Sequence, residues 1–324
     1  MGCATPWTPP SAASSSRMWT LIARRTLQSL PVLVGISIIT FVLIYYLPAD
    51  PARMYAGPSA TVETVARIRH ELGLDQPLWV QYVSYMGRML HGDLGFSYRK
   101  QVEVTQLILG RIPFTAALTL GGIFVELAIG LPVGIISAVG RGHWADRLGM
   151  AVALLGVSAP PFWLGLLLLY LLGYVVPIFP LGGAASPAAL VLPALTAGLG
   201  GAAWYARMMR SSMLDILSAD YVRTARAKGL RGWLVVLRHA LPNALNPIIT
   251  MAGMDIPWFI GGVVLVERVF DWPGVGRLAV EAIETVDVPL ILGTVIFTAV
   301  TVVVSTIVID IVQAVVDPRV QHGR

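Results

Sequence analysis

A basic and polar segment lies between two long apolar runs, and its residue types suit binding to another protein. It reads Asp220-Tyr-Val-Arg-Thr-Ala-Arg-Ala-Lys-Gly-Leu230, and His239-Ala-Leu-Pro242 follows it. Arginine and lysine beside an apolar helical stripe suit the insertion of a short helix into a groove on a partner protein. A solvated or lipid-facing basic loop is the alternative interpretation of the same residues.

Local capping signals predict a short helix in this segment. Ser218 is placed to cap its N-terminus, Asp220 lies in its first turn, and Gly229 suits the left-handed position after its end. A second short helix is predicted from Trp233 to His239, closed by Leu241-Pro242. The apolar stripe of the first helix, at helical spacing, comprises Leu214, Leu217, Tyr221 and Ala225.

The composition of the whole chain indicates an all-α integral membrane protein. Of its 324 residues, 56% are hydrophobic and 13% are charged, whereas soluble domains carry roughly 25% charged residues. The mean hydropathy is +0.73, and the 32 glycines and 22 prolines fit membrane helices, which contain more of both than soluble helices do. The single cysteine, Cys3, excludes an internal disulfide and a cysteine metal cluster.

The apolar stretches predict six membrane-spanning helices, because one span needs about 20 predominantly apolar residues. Turn residues from Pro177 to Pro187 divide the longest stretch without charge into two spans. The predicted spans are residues 27–47, 112–139, 148–175, 188–206, 241–266 and 288–309, the last extending to about residue 315.

The distribution of lysine and arginine predicts that both termini are cytoplasmic. Six spans place the termini on one side, and the opposite side has only Arg268 and Arg277 in its two later loops. By the positive-inside rule, the segment 207–240 then also lies in the cytoplasm. The basic residues on that side are Arg17, Arg24, Arg25, Arg141, Arg147, Arg207, Arg210, Arg223, Arg226, Lys228, Arg231, Arg238, Arg319 and Arg324.

The chain divides into four regions. Residues 1–17, which lack the apolar core of a signal peptide, are predicted to form a disordered tail, with Met18 as an alternative start. Residues 18–47 hold an amphipathic segment and the first span. An extracytoplasmic segment, 48–111, contains two predicted helices, one ending at Gly73 and one between Pro77 and Gly92. Residues 112–320 form a five-helix core with the cytoplasmic segment at about 207–240.

Three acidic residues lie within predicted spans: Glu126, Asp255 and Asp310. A charge inside a membrane is costly and usually faces a cavity or a partner group. Asp255 is the most central and lies beside Pro257, so Asp255, and then Glu126, are the candidates to line a path across the membrane. Pairing of Asp255 with a polar group of a partner subunit is the alternative. Asp310, near the cytoplasmic end, is predicted to be structural.

Other chemistry is not indicated. The five histidines lie outside the predicted spans, so a dedicated intramembrane metal site is not expected. The sequence has no nucleophile–base motif or metal cluster typical of an enzyme. It also lacks a Gly-x4-Gly-Lys-Ser/Thr phosphate loop, so any ATP and magnesium would be bound by a partner.

The segment that begins at Arg223 resembles the signature of ABC importer permeases, Glu-Ala-Ala-x3-Gly-x9-Ile-x-Leu-Pro. It matches at Ala225, Gly229 and Leu241-Pro242. It departs at Arg223 and Thr224, where the signature has Glu and Ala, and at His239 in place of Ile. These departures are typical of the dipeptide, oligopeptide and nickel permeases, which Asp220 to Gly229 resembles.

Other segments are similar to the B-type permease of that branch, and the resemblance covers roughly residues 18–320. Departures are Ala49, where Gly is usual, and Val288, where Tyr is usual. The similar segments are Leu47-Pro-Ala-Asp-Pro-Ala52, Leu72-Gly-Leu-Asp-Gln-Pro77, Gly92-Asp-Leu-Gly95, Phe270-Asp-Trp-Pro-Gly-Val-Gly-Arg277 and Asp317-Pro-Arg319.

The resemblance implies a type I ABC importer permease in the cytoplasmic membrane of a bacterium or archaeon. It would pair with a C-type permease, two cytosolic ATPases and an extracytoplasmic binding protein, with no nucleic acid partner. The residues that would couple it to the ATPase are Asp220, Tyr221, Arg223, Thr224, Ala225, Lys228, Gly229, Leu241 and Pro242.

The substrate that the resemblance favours is a short peptide. Nickel or another metal complex, or a glutathione-like compound, is the alternative within the same machine. An ion-coupled secondary transporter is the alternative of another class. It would need no ATPase and is typically built from inverted repeats, and no convincing repeat is present.

Overall fold

The computed structural model describes residues 12–45, 50–57, 59–71, 73–97 and 99–316. The described chain is helical apart from one short antiparallel hairpin, so the all-α prediction is correct except at this hairpin. Four helices in it are long and apolar enough to cross a membrane: Ile22–Leu43, Val104–Val139, Pro187–Leu217 and Val288–Val312. A shorter apolar helix spans Pro161–Val175.

The elements follow one another in three groups. The first group is α1 (Ala12–Tyr45), α2 (Pro51–Ala56), α3 (Val62–Glu71), α4 (Leu78–Leu90), β1 (Phe96–Ser97) and β2 (Val102–Glu103). The second is α5 (Val104–Val139), α6 (Trp144–Ser158), α7 (Pro161–Leu168, continued by a π-helix to Val175) and α8 (Val191–Leu217, preceded by a 3₁₀ turn from Pro187). The third is α9 (Asp220–Ala227), α10 (Gly232–Leu234, continued by a π-helix to Ala240), α11 (Leu241–Ala244), α12 (Asn246–Gly262), α13 (Val264–Val269), α14 (Val275–Glu284) and α15 (Val288–Val316).

Two predicted spans are interrupted rather than continuous. The predicted span 148–175 breaks between α6 and α7, where Pro160 adopts an extended conformation before Pro161, as expected for a residue that precedes proline. The predicted span 241–266 is divided among α11, α12 and α13. These two predicted spans are therefore each built from more than one helix, whereas α15 covers the sixth predicted span in full.

The N-terminal prediction also needs correction. Helix α1 begins at Ala12, so residues 12–17 are helical rather than part of a disordered tail. Residues 1–11 lie outside the described residues, and so do the motif residues 47–49 and 317–319. The two predicted external helices are confirmed as α3 and α4, and Gly73 (φ +66°) and Gly92 (φ +84°) follow them in the left-handed region.

Helices α5 and α8 form the centre of the fold and approach each other through glycines. A Cβ atom added at Gly130 of α5 would lie 2.7 Å from the carbonyl oxygen of Ala202. One added at Gly134 would lie 2.6 Å from that of Ala206, and one at Gly198 of α8 would collide with that of Gly122. Small residues let membrane helices pack closely, since lipid supplies no hydrophobic force between them. This contact positions the polar groups described below.

The segment from α2 to β2 is attached to α14 and α15 by polar contacts of the hairpin. The Ser97 hydroxyl donates a hydrogen bond to the buried Asp287 carboxylate, and Lys100 Nζ lies 2.8 Å from Glu281 Oε2. Tyr85 of α4 packs in a cluster with Leu292 and Ile296 of α15. This segment is therefore held against the last long helix at several points.

A fully buried carboxylate joins α5, α13 and α14. Glu267 Oε1 accepts a hydrogen bond from Thr115 Oγ1 (2.9 Å), and Oε2 accepts one from the backbone amide of Arg277 (2.7 Å). The Thr115 hydroxyl oxygen in turn accepts the Val275 amide at 2.9 Å. A Cβ at Gly274 would collide with the Glu267 carboxylate, which explains a glycine here. The motif from Phe270 to Arg277 thus closes over Glu267.

Candidate functional sites

Helix α9 lies where the sequence predicts it, but its N-terminal cap differs. The helix begins at Asp220 after the extended Ala219, and Gly229 (φ +78°) follows its end in the left-handed region, as expected. Ser218 does not cap it: the Ser218 hydroxyl donates to the Asp215 carbonyl oxygen at 2.7 Å and closes α8 instead. The predicted cap is wrong because α8 runs up to Leu217, so Ser218 belongs to that helix end.

The buried face of α9 is centred on a residue that the predicted stripe did not include. Val222 and Ala225 are buried, and they pack against Ile216, Leu217 and Val235. Tyr221, assigned to the stripe, is instead 46% exposed. Since the chain turns between α8 and α9, the helical spacing does not continue from Leu217 into α9. If the helical spacing is counted within α9 alone, Val222 and Ala225 fall three residues apart on one face, and this would have indicated that Val222 is buried.

The opposite face of α9 is exposed and polar. The side chains of Asp220 and Arg223 are 94% and 77% exposed, and Arg223 Nη1 lies 3.4 Å from Asp220 Oδ1. An exposed pair of this kind contributes little to folding. Thr224, Arg226 and Lys228 are exposed as well. This face, which we call the α9 outer face (Asp220, Tyr221, Arg223, Thr224 and Lys228), is free to meet a partner.

Leu241-Pro242 does not end the helical structure as predicted. Pro242 lies in the first turn of α11, where a missing amide donor costs nothing. The side-chain amide of Asn243 donates to the Tyr221 hydroxyl at 3.1 Å, which links α11 to α9. The Ser212 hydroxyl of α8 donates to the Ala244 carbonyl oxygen at 2.9 Å. Helix α11 is therefore hydrogen-bonded to both α9 and α8.

A separate ion pair joins α6 to the C-terminal half of α8. Arg210 Nε lies 2.6 Å from Asp146 Oδ1, and Arg210 Nη2 lies 2.8 Å from Oδ2. The Gly142 amide donates to the same carboxylate at 3.0 Å. The hydrogen bond from Arg210, with that from Gly142, lowers the pKa of Asp146 from its ordinary value of 3.8 to about 2. Sequence reasoning counted Arg210 only as a cytoplasmic charge.

Replacement of Asp146 with alanine is expected to destabilise the assembled protein by about 2 kcal/mol at neutral pH, because Arg210 loses a bidentate partner. The pKa of Asp146 is lower in the folded state, so its contribution is complete above about pH 5 and falls as the pH drops towards 2. Thermal unfolding of wild type and variant between pH 7 and pH 3 measures this contribution. As the pH is lowered from 7, the difference in stability between the two proteins should stay constant and then shrink below about pH 4. A difference that grows on acidification would contradict the assignment.

Two of the three acidic residues of the predicted spans come together. The Tyr205 hydroxyl of α8 donates a hydrogen bond to Asp255 of α12, and the side chain of Glu126 from α5 also interacts with Asp255. Glu126 is buried and lies over Gly201, where any Cβ atom would collide with its carboxylate. We call Glu126, Tyr205 and Asp255 the carboxyl cluster. The sequence offered no signal for Tyr205.

The third acid has a different environment. Asp310 of α15 forms an ion pair with Arg25 of α1, at 2.9 Å between Oδ2 and Nε. This contact ties the first helix to the last at the end that was predicted to be cytoplasmic. Asp310 therefore has a structural partner within the chain, as expected for it from sequence.

Comparison with known proteins identifies the family. The family model of the binding-protein-dependent transport system inner membrane component matches residues 130–322, and the model of the N-terminal part of such membrane components matches residues 18–119. The chain is 39% identical over 305 residues to the glutathione transport system permease protein GsiC of Salmonella paratyphi A, covering 94% of this chain and 100% of that protein. It is 38% identical to GsiC of Escherichia coli K12 with the same coverage.

The fold agrees with this match. An inward-facing structure of the MetNI methionine ABC transporter superposes with a TM-score of 0.56 at 21% identity, covering 65% of this chain and 97% of that one. A crystal structure of an amino acid ABC transporter with histidines superposes with a TM-score of 0.50 at 15% identity, covering 64% and 94%. The resemblance seen in the sequence is confirmed: the chain belongs to the family of binding-protein-dependent transport system inner membrane components, the permease subunits of ABC importers.

Proposed function

We propose that this permease imports short peptides, with glutathione among them, that an extracytoplasmic binding protein delivers. The observation that carries the substrate assignment is the 39% identity over the full length of a glutathione transport permease. Glutathione is itself a tripeptide, so the peptide and glutathione-like alternatives describe one chemical class. Nickel or another metal complex is the remaining alternative for the same machine.

The α9 outer face is the proposed contact with a cytosolic ATPase. It is exposed, it combines basic side chains with Tyr221, and it is backed by a buried apolar face on α8. Such a surface suits docking of a short helix into a groove. Leu241 and Pro242 begin α11, the helix that is hydrogen-bonded to α9. ATP and magnesium are then held by the two ATPase subunits, and this chain binds no cofactor of its own.

The proposed membrane arrangement has six crossings with both termini in the cytoplasm of a bacterium or archaeon. Four crossings correspond to the long apolar helices, and two are made by broken helices, α6–α7 and α11–α13. Helix breaks at membrane depth are tolerated where neighbouring helices cover the freed backbone groups. A C-type permease is the proposed second half, and the path between the halves passes Asp255 and Glu126.

Uptake by the reconstituted complex tests the proposal. Liposomes that contain this chain, the C-type permease and the ATPases should accumulate labelled glutathione or a labelled tripeptide when ATP and the binding protein are supplied. A non-hydrolysable ATP analogue should abolish accumulation. Accumulation driven by an ion gradient without ATP would instead favour a secondary transporter.

A further inference from the structure

The carboxyl cluster lies near the middle of three helices that belong to the membrane core. Glu126 is central in α5, Tyr205 in α8 and Asp255 in α12. Transport sites commonly lie near the bilayer midplane, where helices of different parts of a transporter meet. A charged residue at that depth is a candidate for function.

The cluster lacks a balancing cation from its own helices. Helix α12 contains no Lys or Arg, and α5 has only Arg111, at its external end. In α8, the Arg207 guanidinium lies 5.1 Å above the Trp204 ring, and Arg210 is paired with Asp146. Removing two carboxyl groups from water costs several kcal/mol each unless a positive partner or hydrogen bonds compensate.

One carboxylate oxygen of the cluster has no hydrogen-bond partner among the described residues. Glu126 is 3% exposed, and its Oε2 is buried without such a partner. Buried polar atoms in native proteins are nearly always bonded, so a vacant one indicates a partner that the chain does not supply. The glycine at position 201 leaves the room that the Glu126 side chain occupies.

The cluster is reachable on the side of Asp255. Asp255 is half-buried, whereas Glu126 is enclosed. Trp258, three residues further along α12, is on a neighbouring part of the helix surface and is 70% exposed. A carboxylate suits an ammonium group, and an exposed aromatic ring one helical turn away can add to that attraction.

We propose that Asp255 and Glu126 bind the protonated amino group of the transported peptide during its passage. Tyr205 orients the Asp255 carboxylate through its hydrogen bond, and Glu126 places a second carboxyl group next to it. The substrate class is thus narrowed to peptides with a free amino terminus, which includes the glutamyl amino group of glutathione. This inference rests on the proposed function.

The test compares a peptide with its N-acetylated form in the reconstituted complex. Uptake of glutathione or trialanine, whichever the wild type imports, is measured against the N-acetyl derivative with the same binding protein. The quantity of interest is the ratio of uptake of the free peptide to uptake of its N-acetyl derivative. Because every variant is assayed with the same binding protein, a change in this ratio reports on the permease. Asp255→Asn should lower the preference for the free amino terminus about tenfold, the effect of losing one charge-assisted hydrogen bond.

Asp310→Asn is the matched control, because it removes an acid that pairs with Arg25 elsewhere in the protein. It should leave the ratio unchanged. An unchanged ratio in Asp255→Asn would overturn the inference and would indicate that a shared proton or a basic residue of the second permease balances the pair. Failure of the wild type to import either peptide would refute the proposed function instead.

A direct binding measurement applies if Asp255→Asn transports nothing. Binding of labelled glutathione or trialanine to the purified complex without binding protein should be lost in Asp255→Asn and weakened in Glu126→Gln. Retained binding in both variants would overturn the inference. Nickel chloride is the comparison probe, and tighter binding of Ni²⁺ than of the peptide would overturn it as well.

Discussion

Replacement of Gly198 with alanine is expected to destabilise the protein by about 3 kcal/mol, at the upper end of the usual cost of overpacking. The added methyl group would collide with the carbonyl oxygen of Gly122 and lie 2.7 Å from Cβ of Val125. Neither atom can move without displacing α5, so the two central helices must separate. Thermal unfolding of the purified complex measures the loss, and uptake should fall with it because the carboxyl cluster spans the same helices.

Gly200→Ala is the matched control on the same helix. A Cβ atom there meets nothing within 4 Å. Both substitutions gain the same intrinsic helix propensity, about 1 kcal/mol. The difference in stability between the two variants therefore measures the cost of the steric clash between α5 and α8. Equal stability of the two variants would contradict the close approach of α5 and α8.

Charge reversal at Arg223 is expected to reduce ATP-driven uptake at least about tenfold while the protein remains folded. The Arg223 side chain is 77% exposed, and its ion pair with Asp220 is a surface contact, so Arg223→Glu removes little folding energy. At a contact with an ATPase, an inverted charge opposes docking, and a like-charge juxtaposition costs several kcal/mol. The measurements are uptake, stimulated ATP hydrolysis and the melting temperature.

Arg147→Glu provides the comparison for this change. Arg147 is also an exposed arginine on the side predicted to be cytoplasmic, but it lies on α6, outside the α9 outer face. Its reversal should leave uptake near the wild-type rate. If both reversals reduced uptake equally, the effect would reflect general surface charge rather than a defined contact.

Features set by neighbouring residues were predictable from sequence. Gly229 and Asp220 fix the ends of α9, and Gly73 and Gly92 follow the external helices, because helix capping depends on a few adjacent residues. The burial of Val222 was not predicted, since it depends on where α8 ends. Hydropathy alone does not register the breaks in the third and fifth predicted spans, because it averages over the residues of a span.

Contacts between distant segments lay beyond sequence reasoning. Asp255 stood out as an acid within a predicted span, but Tyr205 gave no such signal, and only the packing of α8 on α12 brings them together. The pair Asp146–Arg210 joins residues 64 positions apart. Glu267 lies outside every predicted span, so its burial beneath Gly274 gave no signal in the hydropathy pattern.

A photo-crosslink from α9 tests most directly whether the α9 outer face contacts the ATPase. A photoreactive phenylalanine analogue at position 221 replaces a side chain that is 46% exposed. The control is the same analogue at Trp79, which is 70% exposed and lies in α4, in the segment proposed to be extracytoplasmic. In the assembled complex, the probe at Tyr221 should crosslink to an ATPase subunit, and the probe at Trp79 should not. Crosslinking of the α9 probe to lipid alone, with the ATPases bound, would contradict the account.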